Sequence, residues 1–321
     1  LKKAAHVSLA VVLCATLAAC SGSNSSSSTG TNATNASGAA KTIGVSIQDR
    51  EAQFYQDMES GMNAQAAKYG YTVNVVDANR DNARQQSQVQ DFINEKVDAI
   101  VLTPYDSQAI GSAIAAANKA GIPVFTADIA SSSKQGTVIS HVASDNVQGG
   151  QQAGKLICAA VGKSGGVAII DQPEVTSVQD RVKGFKQALA ANCPGVTIVA
   201  DVDAGGQRDN AANDTSDILQ SHSDLKGIFG INDDSALGAL TAVKAAGLVG
   251  KIAIVGYDAS PEARTAIAAG QMYGDAIQYP QQIGAKTIDA IHDYLNNKKP
   301  PVIVHVAVGS FTKADATKAG K

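Results

Sequence analysis

From Thr42 onward the chain alternates short β-rich runs with helical patterns, and no other feature limits its fold as tightly. The run Thr42-Ile43-Gly44-Val45-Ser46-Ile47 is predicted as a strand. Phe54, Met58, Met62, Ala66 and Tyr69 follow at spacings of three and four, one apolar helix face that Gly70 ends. Strands are predicted at 71–76, 99–102 and 122–126, with helices between them through Val89, Phe92 and Ile93 and through Ile110 and Ile114. After Asp145 the pattern restarts: a long helix, strands at 166–170, 196–199, 227–230 and 252–255, and helices at 179–191, 209–220 and 235–246. Strand–helix units of this size predict an α/β fold with parallel sheets covered by helices on both faces. Right-handed crossovers follow.

The two sets share a local pattern. Residues 97–107 read Val-Asp-Ala-Ile-Val-Leu-Thr-Pro-Tyr-Asp-Ser and open a unit that closes on Phe125-Thr126-Ala127-Asp128. Residues 225–235 read Leu-Lys-Gly-Ile-Phe-Gly-Ile-Asn-Asp-Asp-Ser and open one that closes on Val255-Gly256-Tyr257-Asp258. Each has a strand, a polar turn opening a helix, and a second strand ending in Asp. The matched Asp128 and Asp258 point to duplication rather than chance likeness.

Open parallel sheets bind ligands beyond the carboxyl ends of their strands. There the chain carries Gln48, Asp49, Arg50, Thr103, Asp128, Asn232 and Asp258. Carboxylates accept from neighbouring hydroxyls, amides donate and accept, and arginine donates in a fork. That set suits a neutral polyhydroxylated ligand, with Phe54 and Tyr55 available to cover an apolar sugar face. Taken singly, each residue is as well explained as a helix cap or solvated loop; their shared position carries the reading.

The termini and composition address compartment and partner. Lys2 and Lys3 precede an apolar run, 7–15, that is too short to span a bilayer and has the layout of a secretory signal peptide. Its end, Leu17-Ala18-Ala19-Cys20, resembles the bacterial lipoprotein box, which implies a signal peptide over 1–19 and a lipid on Cys20. The Ser/Thr/Asn/Gly-rich stretch that follows carries no charge and is expected to be a disordered tether over 20–40. The remaining length exceeds one typical domain, so two lobes are expected. A net charge of −3 without a basic stripe argues against nucleic acid. Cys158 and Cys193 would lie outside the cytoplasm, where a structural disulfide persists; two buried free thiols are the alternative. They lack metal-ligand spacing, and no metal or cofactor is expected.

The body, about 41–313, resembles the ribose-binding type of periplasmic sugar-binding protein. The resemblance is carried in order by Ser140-His141-Val142-Ala143-Ser144-Asp145-Asn146, by 229–240, by Val255-Gly256-Tyr257-Asp258 and by 278–284. It implies two Rossmann-like lobes with parallel sheets joined by a three-strand hinge, the type I periplasmic binding fold. The implied lobes are 41–144 plus 279–307, and 145–278 plus 308–321. It also implies a monomer that serves an ABC transporter permease, held to the membrane by its lipid. Phe54 and Tyr55 fall where such proteins stack aromatics on sugar, and Asp128, Arg181, Asn232, Asp258 and Gln278 on polar contacts. Ser144 and Tyr257, in the matching stretches, join Gln48, Arg50 and Thr103 as further candidates. Ala52, Ile129 and Gly206 depart from the ribose pattern, which removes a fork donor and an aromatic wall. A sugar or polyol is therefore expected rather than ribose itself, with Gln48 and Arg50 as replacement donors. A sensory binding component is the competing role. A regulator would need an N-terminal helix-turn-helix, and the nucleophile elbow, Walker loop and HExxH of common enzymes are absent from the sequence. The Gly149-Gly150 and Gly205-Gly206 pairs are weak as phosphate loops.

Overall fold

The computed structural model describes residues 40–319. The expected signal peptide, Cys20 and the tether up to residue 39 lie outside the described residues. Among those described, no helix is long and apolar enough to cross a membrane.

Twelve strands form two six-stranded sheets among the described residues. The first contains β1 (Thr42–Ile47), β2 (Thr72–Asp77), β3 (Ala99–Leu102), β4 (Val124–Ala127), β5 (Val138–Ser144) and the late β11 (Ile303–Val306), ordered β11-β5-β4-β3-β1-β2. The second contains β6 (Ser164–Asp171), β7 (Gly195–Asp203), β8 (Leu225–Gly230), β9 (Ala253–Asp258), β10 (Gly274–Ile277) and β12 (Gly309–Thr312), ordered β12-β10-β9-β8-β6-β7. Every pairing is parallel except β10 with β12. Both sheets are built from buried apolar runs, such as Ile43, Val45 and Ile47 of β1 and Ile254 and Val255 of β9. Such runs are what helices on both faces require.

The chain passes between the sheets three times: after β5, after β10, and between β11 and β12. The helices are α1 (Gln53–Tyr69), α2 (Asn82–Glu95), α3 (Gly111–Lys119), α4 (Asn146–Val161), α5 (Thr176–Asn192), α6 (Arg208–Ser221), α7 (Asp233–Ala245), α8 (Pro261–Ala268), α9 (Pro280–Leu295) and α10 (Lys313–Ala319). The strands and helices predicted by periodicity are present, with ends shifted by a few residues. The strands β5, β10, β11 and β12 and the helices α8, α9 and α10 were not predicted; β10, β11 and β12, at four residues each, are too short to show a period of their own.

Glycines set how closely the helices pack. A Cβ on Gly61 of α1 would stand 2.1 Å from Gln281 O on α9, and one on Gly284 of α9 would stand 2.1 Å from Met58 O. Between α4 and α5, a Cβ on Gly150 would meet Arg181 O at 1.9 Å and one on Gly184 would meet Val147 O at 2.0 Å. The Gly149-Gly150 pair is thus a helix-packing contact, and its closeness draws Arg181 inward.

Cys158 on α4 and Cys193 at the end of α5 form a disulfide, with Cα atoms 5.7 Å apart and a sequence separation of 35. Chain-entropy arguments give a loop of that length about 3–4 kcal/mol of stabilisation. We expect Cys158→Ala/Cys193→Ala to lose about that much in non-reducing chemical denaturation; unchanged stability would show that the bridge contributes nothing.

Candidate functional site

Parallel strands end on one edge, so each sheet presents its strand-end residues to the other. Between them lies a cleft of about 350 Å³. The first lobe lines it with Gln48 after β1, Phe54 and Tyr55 on α1, Arg80 after β2, and Asp128 and Ile129 after β4. The second lines it with Gln172 after β6, Arg181 on α5, Asn232 and Asp233 after β8, Asp258 at the end of β9 and Gln278 after β10.

The two aspartates of the repeated unit sit in unusual backbone. Asp128 has φ 62° and Asp258 φ 130°, followed by Ala259 at φ 60°. Non-glycine residues in this region cost of order 1–3 kcal/mol each and cluster at functional sites. Here the turn swings each carboxylate off its strand. Asp128 Oδ2 accepts from Tyr55 Oη at 3.2 Å, and Tyr55 Oη accepts from Gln48 Nε2 at 2.5 Å. Asp258 Oδ1 accepts from Gln278 Nε2 at 2.6 Å and Oδ2 from the Asp233 amide at 3.4 Å.

Arg181 lies between them, buried. Its Nε donates to Asn146 Oδ1 at 2.9 Å and Nη1 to Ile231 O at 2.9 Å; its guanidinium lies 4.1 Å from the Tyr257 ring centroid. Nη2 stands 3.9 Å from Asp128 Oδ1, spanning the lobes. Burial opposes the Arg181 charge, but Tyr257, Asp258 and Asp128 hold its pKa above the ordinary value. Burial pushes Asp128 up to about 6 against the pull of Arg181 and Tyr55. Burial, and then the nearby Asp233, push Asp258 well above the carboxylate range.

Several polar atoms of cleft residues are buried without a hydrogen-bond partner: Gln48 Oε1, Asp128 Oδ1, Asp233 Oδ1 and Gln278 Oε1, all oxygens, and Gln172 Nε2, a donor. An unpaired buried group costs about 1–3 kcal/mol, which a ligand hydroxyl would relieve. The arrangement can hold a polar, hydroxyl-rich molecule. Among the described residues no His/Cys/Asp/Glu group forms a metal site.

Of the sequence candidates, Gln48, Phe54, Tyr55, Asp128, Arg181, Asn232, Asp258 and Gln278 line the cleft, and four do not. Arg50 points away and pairs with Glu59 on α1. Thr103 is fully buried beneath β3, where Gln85 Nε2 bonds its carbonyl at 2.9 Å. Ser144 is buried where the chain leaves β5. Tyr257 is fully buried; it supports Arg181, and its Oη donates to Asn146 Oδ1 at 3.3 Å. One N–H of Gln48 Nε2 is used on Tyr55, which leaves its second N–H and its unpartnered Oε1 for a ligand. Asn232 both lines the cleft and caps α7, accepting from the Ser235 amide at 2.8 Å.

Sequence reasoning missed Arg80, Gln172 and Asp233. Arg80 donates to Gly205 O across the lobes at 2.7 Å and to Asp49 Oδ2 at 2.5 Å. Both Arg80 and Gln172 follow strands, so the strand-end rule applied to every strand would have found them.

The lobes also touch beside the cleft. Ser107 Oγ accepts from the Thr176 amide at 3.0 Å, and Thr176 Oγ1 bonds the amide and the carbonyl of Ala130, each at 3.2 Å. Ile129 of the first lobe is buried in an apolar cluster of the second, with Val175 and Val178.

Residues 43–299 match the periplasmic binding protein domain. A ribose import binding protein of Bacillus subtilis is 34% identical over 80% of this chain and 83% of its own length. A xylitol-binding protein of Mycolicibacterium smegmatis is 30% identical over 84% of this chain and 77% of its own. The crystal structure of an ABC transporter periplasmic solute-binding protein from Actinobacillus succinogenes with bound D-allose superposes with a TM-score of 0.80 at 30% identity, covering 87% of this chain and 99% of that one. The chain belongs to the periplasmic binding protein family. Proteins of this family bind solutes outside the cytoplasm and are not enzymes, and the chain is a solute-binding protein of that kind.

Asp128 generates a pH expectation. Ligand hydroxyls donating to Oδ1 favour the carboxylate, so protonation below its value of about 6 competes with binding. Affinity is expected to fall roughly tenfold from pH 7 to pH 5, one proton being taken up by Asp128. Calorimetry across that range checks it, with Asp128→Asn removing this slope; a flat wild-type profile would show that Asp128 does not titrate against the ligand.

Proposed function

We propose that this protein captures a sugar or polyol in the cleft between its lobes and delivers it to an ABC importer. The observation that carries the reading is the set of unpartnered buried acceptors, Gln48 Oε1, Asp128 Oδ1 and Gln278 Oε1, gathered beside Phe54. Hydroxyl groups supply the missing donors, and an aromatic edge covers the apolar carbon face between them. Relatives named for ribose, xylitol and fructose, and solved neighbours bound to D-allose and myo-inositol, support the same chemical class.

In this reading the lobes are 41–144 plus 279–307, and 145–278 plus 308–321, and the three passages between the sheets are the hinge. A ligand bridging Asp128 and Asp258 favours the closed arrangement by its differential contacts. The permease reads that arrangement. The protein acts as a monomer tethered to the membrane by a lipid on Cys20.

Calorimetry with D-ribose, D-allose, D-fructose, xylitol and myo-inositol tests the class; binding of none would defeat it. Leaving a buried hydrogen-bonding group unpaired costs about 1–3 kcal/mol, so Asp258→Ala is expected to weaken binding of the best probe roughly fivefold to a hundredfold. Asp224→Ala, exposed and away from the cleft, is expected to change little. Wild-type affinity in Asp258→Ala would move the site elsewhere.

The anchor has its own test. Cys20→Ser in the full-length chain is expected to abolish lipid labelling and release the protein from membrane fractions. Unchanged labelling and fractionation would rule the anchor out.

A further inference from the structure

Gln172 reaches the cleft from the second lobe just beyond β6. Its side chain is 3% exposed, and Nε2 is buried without a hydrogen-bond partner. Its backbone is fixed, the amide donating to Asp171 Oδ1 at 2.8 Å.

The surroundings are built around this amide. Gly206 has φ 64°, and a Cβ there would stand 2.6 Å from Gln172 Oε1 and 3.1 Å from Asn232 Nδ2. Asn232 Nδ2 donates to Gly206 O at 3.1 Å and holds that loop in place. Glycine at 206 therefore leaves the room that the Gln172 side chain occupies. The other unpartnered atoms on cleft-lining residues, on Gln48, Asp128, Asp233 and Gln278, are all oxygens. Gln172 Nε2 is the one nitrogen among these five and requires an acceptor from the ligand.

A hydroxyl satisfies either requirement, but a methylene or a hydrogen satisfies neither. A site built to hydrogen-bond a hydroxyl discriminates strongly against an analogue lacking it, because the buried group is then left unpaired. Phe54 approaches from the first lobe and Gln172 from the second, so the ligand meets an aromatic from one lobe and a donor from the other.

We propose that Gln172 is a specificity-determining residue of the cleft: its Nε2 donates to one ligand hydroxyl oxygen turned toward the second lobe, and thereby selects the configuration at that carbon. This rests on the sugar or polyol reading of the site.

The test is calorimetry on wild type, Gln172→Leu and Gln172→Glu with D-ribose, D-allose, D-fructose, xylitol and myo-inositol, followed by single-carbon epimers of whichever binds tightest. In wild type, one epimer is expected to bind at least about tenfold more weakly than the parent. In Gln172→Leu the parent loses affinity while that epimer does not, so the preference collapses. Gln172→Glu keeps the size but replaces the donor with a carboxylate; it is expected to reorder the series and serves if the leucine variant does not fold. Unchanged affinities and order in the folded variants would overturn the proposal. So would a uniform loss across all epimers, which marks a structural role. Binding of no probe by wild type would remove the sugar reading and this proposal with it.

Discussion

A guanidinium buried between two lobes has to be surrounded by acceptors, and much of the cleft follows from meeting that requirement for Arg181. Uncompensated charge in a protein interior costs several kcal/mol. Arg181 is relieved by Asn146, by the Ile231 carbonyl and by the Tyr257 ring beneath it. These partners come from α4, the end of β8 and β9, so three elements must converge on one side chain. They do so because α4 and α5 approach through Gly150 and Gly184, and because Gly149 lets Tyr257 reach α4, where a Cβ would stand 1.8 Å from its Oη. Helix packing, the buried charge and the position of Asp128 across the cleft are parts of one arrangement.

The same arrangement explains which features were legible in the sequence. Strand and helix order could be read because buried parallel strands are continuous apolar runs, and the strand-end rule then located Asp128, Asn232 and Asp258. Arg50 and Arg80 show where that rule stops. Both follow strands of the first sheet, but Arg50 finds Glu59 in the second turn of α1, whereas Asn79 and Arg80 form a left-handed pair, φ 51° and 56°, that carries Arg80 back over the cleft. Nothing in residue type distinguishes the two. Tyr257 and Thr103 show a second limit. They lie in the matching stretches and near strand ends, but strand alternation turns their side chains into the interior. The Cys158–Cys193 pairing depends on how α4 and α5 pack, which residue spacing alone does not specify.

Asp128 and Asp258 show what the internal repeat retained. Their neighbours differ, and Ile129 and Ala259 share little, but both carboxylates stand on backbone with positive φ at the end of equivalent strands. A strained turn is kept when the surrounding structure over-determines it. Here β4 and β9 are central strands, hydrogen-bonded on both sides, so the strain is carried by rigid neighbours. The two lobes thus present matched acceptors to one ligand from opposite sides, as expected of a cleft built from two copies of a strand–helix–strand unit.

The contact between Ser107 and Thr176 has a kinetic meaning. The first amides of a helix have no partner within it, and α5 has no capping side chain of its own at Val175. The oxygen that satisfies the Thr176 amide belongs to the opposite lobe. A helix cap is worth about 1 kcal/mol, roughly a fivefold change in an equilibrium constant. Part of the barrier to parting the lobes therefore comes from the protein itself, whatever molecule it holds. Residence time in the cleft then has two contributions, one that varies with the solute and one that does not. Because the second adds the same amount to every barrier, it lengthens the hold on weakly and tightly bound solutes by one common factor and leaves their ratio to the contacts each solute makes.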